Sequence, residues 1–203
     1  MSDRPRIQIF DDGPMKVSNA GSMRYCGAPM DAEGDVYLCR CGESAKAPFC
    51  DGTHSRVGFV GSSPDAPAQE FRVWEGRTLR THFNKAACMH VFTCKPLKEL
   101  REAELAGAEN AATEIMRVIH ACPSGALSYE VKDPDRATAP ERPAPEVAID
   151  IVEGGEVRVQ VPFDLNVPLQ ERQVEDRATL CRCGRSKNKP WCDGRHKARR
   201  DFR

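Results

Sequence analysis

Apolar and polar positions alternate through "RIQIFDDGPMKV" at residues 6–17 and pause at an acidic, glycine-containing turn. A period of two around such a turn predicts a β-hairpin with one face buried. The same pattern returns in "AIDIVEGGEVRV" at 148–159, and a shift of 142 positions superimposes the two stretches without a gap. Ile7, Ile9, Gly13, Val17 and Leu38 fall on Ile149, Ile151, Gly155, Val159 and Leu180. Each copy is a repeat of about 50 residues with too few apolar positions for a core of its own, so the copies are expected to pack as a pseudo-dimer.

Between the copies the pattern changes. "EFRVWEGRTLRTHFN" predicts two strands, and "PLKELREAELAGAENAATEIMRVIHAC" carries a helical period through Leu97, Leu100, Leu105, Ile115 and Ile119. "PSGALSYEV" returns to strand, and the Pro- and charge-rich "KDPDRATAPERPAPE" reads as an extended linker. The fold class is therefore α+β, with two small β-rich repeats (1–65 and 147–203), an inserted α+β domain (66–132) and a linker (133–146).

Composition narrows the chemistry. The 203 residues are 40% apolar and only 6% aromatic, so small cores need staples, and ten cysteines are there to supply them. The opening "MSDRPRIQIFDDG" lacks the apolar core of a secretory signal, which argues against a disulfide framework and for metal binding in a reducing, cytoplasmic compartment. No apolar run is long enough to suggest a membrane span. A formal net charge of zero gives no general reason to expect a nucleic-acid partner. The basic "RHKARRDFR" at the C-terminus reads as a short solvated tail.

The cysteines fall into matched sets. "LCRCGESAKAPFCDGTH" at 38–54 and "LCRCGRSKNKPWCDGRH" at 180–196 place Cys39, Cys41, Cys50 and His54 at the spacing of Cys181, Cys183, Cys192 and His196. Thiolates and imidazole in such sets select zinc, iron or copper over the oxygen-loving ions. Zinc accepts three cysteines and a histidine in a closed tetrahedral site, and iron–sulfur clusters also accept imidazole, so spacing alone leaves both open.

The pattern C-x-C-x2-[ST]-x3-P-x-C-D-G-[ST]-H resembles the signature of the CDGSH, or NEET, iron–sulfur domains. The first copy matches it throughout, including Ser44, Pro48, Asp51, Gly52 and Thr53; the second departs only at Arg195, which spares every ligand. The resemblance implies two [2Fe-2S] clusters, with one iron on Cys39 and Cys41 and the other on Cys50 and His54. In the second copy the pairs are Cys181 with Cys183 and Cys192 with His196. Asp51 and Asp193 stand where an N-cap would start a short helix facing an anionic cluster, and Pro48 and Pro190 stiffen the loop. Family members are dimers, or carry two motifs in one chain that imitates the dimer.

"CMHVFTC" with the later "ACPSGAL" resembles the divergent mono-cluster ferredoxin-like domains, which implies a third cluster, [3Fe-4S] or [4Fe-4S], on Cys88, Cys94 and Cys122. Val91 stands where an ordinary loop has a further cysteine, so a fourth ligand has to come from elsewhere: His90 is adjacent, and His120 and Cys26 are more distant candidates. Cys26 has no counterpart in the second copy, where Pro168 takes its place, and reads better as a small core or strand residue. Trp74 and Trp191 read as packing residues or a lid on a cluster.

These features point to one-electron transfer by a monomer with an internal pseudo-dimer. No nucleophile–base pair suggests an enzyme. The partner is then a redox protein, or an apo iron–sulfur acceptor if the chain stores, delivers or senses clusters; a structural zinc protein is the remaining alternative. Residues 177–203 carry ten Lys or Arg against Asp193 and Asp201, whereas 35–61 balance at zero. That excess favours earlier reduction of the C-terminal cluster and an acidic partner.

Overall fold

Both predicted hairpins form. In the computed structural model, which describes residues 4–31, 33–68, 70–169 and 173–198, β1 (Arg6–Ile9) turns into β2 (Met15–Ser18). Two short strands follow, β3 (Met23–Tyr25) and β4 (Ala28–Met30), before β5 (Val36–Leu38) leads into the first cysteine loop and the single turn α1 (Thr53–Arg56). The inserted segment runs β6 (Phe71–Glu75), β7 (Leu79–Asn84), α2 (Leu97–Leu105), α3 (Ala111–His120) and β8 (Leu127–Val131). The second repeat supplies β9 (Ile149–Ile151), β10 (Val157–Val159), β11 (Asp164–Leu165), β12 (Ala178–Leu180) and a 3-10 turn over Arg195–Ala198.

The repeats exchange strands. β3 of the first, paired with β4 on one side, pairs in parallel with β9 of the second on the other, placing Met23 opposite Ile149. β11 of the second likewise pairs in parallel with β1, placing Leu165 opposite Ile7. Under the 142-residue shift each pairing maps onto the other, which is the reciprocity of a twofold interface. The strand orders β11-β1-β2-β5 and β12-β10-β9-β3-β4 follow from it. A single core results, in which Ile7, Met15, Val17 and Leu38 pack with Ile149, Ile151, Val157, Val159, Leu180 and Trp191, all nearly inaccessible. Burial of that apolar surface needs both repeats, so neither copy has a closed core alone.

The inserted segment has its own core, where Leu79 and Leu127 of the three-stranded sheet β6-β7-β8 meet Leu97, Ile115 and Ile119 of the helices. The single helical period of the sequence is divided in two: Gly107 and Asn110 adopt positive φ, and the chain reverses between α2 and α3. The buried Glu104 carboxylate accepts the Arg77 and Thr78 backbone N–H groups, tying α2 to the β6–β7 turn. The linker forms no regular element, as expected, but it is anchored. Ala137 joins the inserted core, and Arg142 donates to the Gln160 carbonyl and pairs with Asp176.

Candidate metal centres

Each Cys/His loop is a closed backbone clasp. β5 ends at Leu38 and delivers Cys39 and Cys41 with their sulfurs 3.5 Å apart. The chain then swings out and returns through a bridge from Leu38 to Phe49; the Cys39 N–H donates to the Pro48 carbonyl and the Cys50 N–H to that of Tyr37, both at 2.8 Å. The return brings Cys50 Sγ within 3.3 Å of His54 Nδ1. Ser44 Oγ donates to the Phe49 carbonyl and accepts from the Lys46 N–H. The second copy repeats these contacts through Cys181, Cys192 and Ser186, with Cys192 Sγ 3.4 Å from His196 Nδ1 and the Cys181 and Cys183 sulfurs 3.9 Å apart.

Asp51 and Asp193 do not take the expected capping position. Gly52 precedes α1, and the Asp51 carboxylate instead accepts the Ala45 N–H at 2.9 Å and the Thr53 N–H at 3.0 Å, lacing the outgoing arm to the histidine turn. Those donations hold its carboxyl well below the usual carboxylate range. Asp193 bridges the Lys187 and Arg195 N–H groups in the same way. Arginine at 195 keeps this backbone donation and adds one from its Nε to the Asp193 carboxylate at 3.0 Å, so it serves there in place of Ser or Thr.

The donor sets fit an anionic metal cluster. Burial pushes the Cys41 thiol up to about 11 and that of Cys192 up to about 12, and Cys181 rises through its bond to Cys183 and its burial. Such sulfurs keep their protons unless a metal cation replaces them. The surroundings supply the opposite charge. Arg40, 2% exposed, donates to the Phe10, Gly13 and Gly61 carbonyls and lies near Cys181 of the other copy. Arg182 sits reciprocally near Cys39. Beside the middle cysteines, Arg101 neighbours Cys94 and Arg177 neighbours Cys122, each with a buried Nε that makes no hydrogen bond among the described residues. Arg101 also donates to Thr81 Oγ1 at 2.7 Å and Arg177 pairs with Asp176 at 3.2 Å, and an anion beside a buried guanidinium group stabilises it further.

The middle cysteines converge from three elements: Cys88 beyond β7, Cys94 before α2 and Cys122 after α3. Burial raises the Cys88 thiol, and the neighbouring sulfurs of Cys122 and Cys94 raise it further. Of the candidates for a fourth ligand, His90 is the one at hand, its Nδ1 3.7 Å from Cys88 Sγ. His120 is turned to the Tyr129 hydroxyl at 3.0 Å. Cys26 is neither ligand nor core: it is exposed in the β3–β4 turn at φ 51°, donating its N–H to the Ile151 carbonyl. Trp191 is a core residue, and Trp74 stacks on the Arg101 guanidinium.

The two matched loops differ in their surroundings. Cys192 and His196 are 2% and 7% exposed, whereas Cys50 and His54 are half-buried. Phe49 is 43% exposed and its counterpart Trp191 only 6%. Trp191 is buried in the core of the repeats, and the inserted domain covers the second loop from outside. Asn188 donates to the Ala86 carbonyl at 2.7 Å, Lys197 to that of His90 at 2.7 Å, and a Cβ on Gly194 would lie 2.6 Å from the Met89 carbonyl oxygen. Val91, at the place of the absent cysteine, lines a cleft of about 500 Å³ with His196 and Glu156. Glu156 went unnoticed in the sequence because its counterpart is Pro14. Its carboxylate, 1% exposed, lies 3.3 Å from His196 Nε2 and 2.7 Å from Arg158, and Glu156, Cys192 and His196 offer ligand atoms within 4.8 Å of one another. Burial still lowers the proton affinity of His196, with Glu156 pulling the other way.

Family comparison agrees with this geometry. The model for the iron-binding zinc finger of CDGSH type matches residues 12–55 and again 151–197, and that for the divergent 4Fe-4S mono-cluster matches 74–132. The chain carries two CDGSH domains around a mono-cluster ferredoxin-type domain. It is thus an iron–sulfur protein of β-rich α+β fold. No curated protein and no solved structure matches it significantly. No helix among the described residues is long and apolar enough to cross a membrane; the basic tail beyond Ala198 lies outside the described residues.

Proposed function

We propose that the chain is a one-electron carrier with three centres: two [2Fe-2S] clusters, each on three cysteines and one histidine, and a third cluster, [3Fe-4S] or [4Fe-4S], on Cys88, Cys94 and Cys122 with His90 as the fourth donor. The convergence of the three donor sets among buried guanidinium groups carries this reading. A bound cluster supplies an electron store that fills and empties without bond rearrangement. The protein's residues hold the donors in place, keep water from the C-terminal set and offset negative charge through Arg40, Arg182, Arg101 and Arg177. Its counterpart is a redox protein rather than a small substrate, and we place it, as a monomer, in the cytoplasm.

Electron paramagnetic resonance with iron and sulfide quantification on anaerobically prepared protein tests the reading. Two [2Fe-2S] signals on reduction and a third signal of different type support it. A colourless, zinc-loaded protein refutes it. Cluster delivery is a second reading, favoured by the half-exposed Cys50 and His54, since a ligand within reach of water is displaced more readily. Appearance of holo-ferredoxin on incubation with the apo form would then be seen.

A further inference from the structure

The three donor sets are not equally placed. The first CDGSH loop meets solvent along Phe49, Cys50 and His54, and the mono-cluster loop meets it along His90 and Phe92, the latter 61% exposed. The second CDGSH loop exposes Arg185, Lys187 and Arg195, but its four ligands, Cys181, Cys183, Cys192 and His196, are all buried, and both other sites are packed on it. On one side Gly194, at φ 81°, lies so near the inserted domain that a Cβ would stand 2.6 Å from the Met89 carbonyl oxygen, and Lys197 donates to the His90 carbonyl at 2.7 Å. On the other side Gly184, at φ 72°, lies so near Cys41 that a Cβ would stand 2.5 Å from the Cys41 carbonyl oxygen, and Arg40 and Arg182 cross between the copies. Glycine at 184 and 194 permits backbone contact where any side chain would hold the loops apart.

We propose that the C-terminal CDGSH centre is an internal relay through which the mono-cluster centre and the N-terminal CDGSH centre exchange electrons. The inference rests on the three-centre reading above and adds an order to it. Each hop oxidises one centre by one electron and reduces its neighbour by one; no bond forms and no proton needs to move. The C-terminal centre offers a partner no exposed ligand, so the two half-exposed centres are the ports, and two different one-electron proteins can be served at once. The positive C-terminal surface is accordingly not a docking face for the C-terminal cluster itself.

The order is tested on the full chain by removing one centre at a time with Cys50→Ser, Cys122→Ser or Cys192→Ser, then measuring magnetic coupling between the two remaining centres by pulsed electron paramagnetic resonance. Dithionite serves as reductant, and iron and sulfide content is determined first. Coupling is expected in Cys50→Ser and Cys122→Ser, and its loss in Cys192→Ser. Electron exchange between the outer centres should then depend on protein concentration, as for separate molecules, instead of being intramolecular. His196→Ala, which empties the same site through another ligand, should behave alike and separates loss of the centre from misfolding of one variant. Undiminished coupling between the outer centres in either variant overturns the relay. If the cysteine variants lack two loaded centres by iron and sulfide content, the three-centre reading fails instead, and the relay with it.

Discussion

Glu156→Gln removes a carboxylate that one of the two matched ligand sets has beside its histidine and the other lacks. The wild-type carboxylate lies 3.3 Å from His196 Nε2, and the opposite edge of the ring, Nδ1, faces Cys192 Sγ at 3.4 Å. A cluster held by three thiolates and a neutral imidazole gains negative charge on reduction, so a fixed carboxylate behind the imidazole opposes the added electron. A unit charge about 8 Å from the iron, at an effective dielectric of about 20, interacts by about 2 kcal/mol. For a one-electron couple that is about 90 mV. Arg158, two-thirds buried and paired with Glu156 at 2.7 Å, can reorient when the carboxylate is gone, which reduces the shift to as little as about half. Glutamine keeps an acceptor for Nε2–H, so geometry is preserved while charge is removed.

The C-terminal potential should therefore rise by between about 40 and 90 mV in Glu156→Gln, while the N-terminal potential, with Pro14 at the equivalent position, stays fixed. Redox titration in a Cys50→Ser background reads the C-terminal centre, and one in a Cys192→Ser background reads the control. The sequence argued that the basic C-terminal segment makes this centre the first to be reduced. Glu156 opposes that tendency with an effect of similar size, so its removal should widen the offset. Surface charges are screened by salt, whereas a buried carboxylate is screened much less, and the Glu156→Gln shift should persist at high ionic strength. An unchanged or lowered C-terminal potential would refute the argument.

Other consequences follow from the same contacts. Cys88→Ser or Cys122→Ser should lower iron content and remove the third signal while leaving the [2Fe-2S] spectrum, because the inserted domain has its own core; unchanged iron stoichiometry means that the site holds no cluster. Histidine ligands make a cluster acid-labile. Burial lowers the proton affinity of His196 and keeps it in its neutral, ligating form further down in pH, so the C-terminal cluster should outlast the N-terminal one as pH falls. Visible absorbance of the two single-centre variants reads this, and earlier loss of the C-terminal cluster contradicts it. Gly184→Ala should destabilise by more than the roughly 1–2 kcal/mol that a left-handed backbone costs an L-residue, since its Cβ also meets the Cys41 carbonyl; a thermal melt unchanged from wild type would show that the loops can part.

The donor sets were legible because coordination chemistry demands side chains of fixed type, and the 142-residue shift exposed them twice over. The hairpins were legible for a similar reason: Ile7, Ile9 and Val17 report a buried face locally. Strand exchange was not, because β3 and β11 are three and two residues long and their partners lie in the other repeat; nothing within "MRY" or "DL" specifies Ile149 or Ile7 as a neighbour. The helical period, read as one run, divides at Gly107 and Asn110 because the backbone there leaves the right-handed region, a choice that the hydrophobic pattern on either side does not record.

The roles of Glu156 and Val91 escaped sequence reasoning for a different reason. Both are departures from a repeat or a motif, and a departure carries meaning only once its neighbour is known. Glu156 replaces Pro14 in a hairpin turn where an acidic residue is unremarked, until His196 is found beside it. Val91 replaces a cysteine and looks like a loss; in space it faces the cleft shared with His196 and Glu156, where an apolar side chain packs and a thiolate would add negative charge next to an acidic centre. The insertion that separates the repeats in sequence covers one of them in space. Two loops of the same ligand pattern thus acquire different burial, different charge and different neighbours without the change of a single ligand.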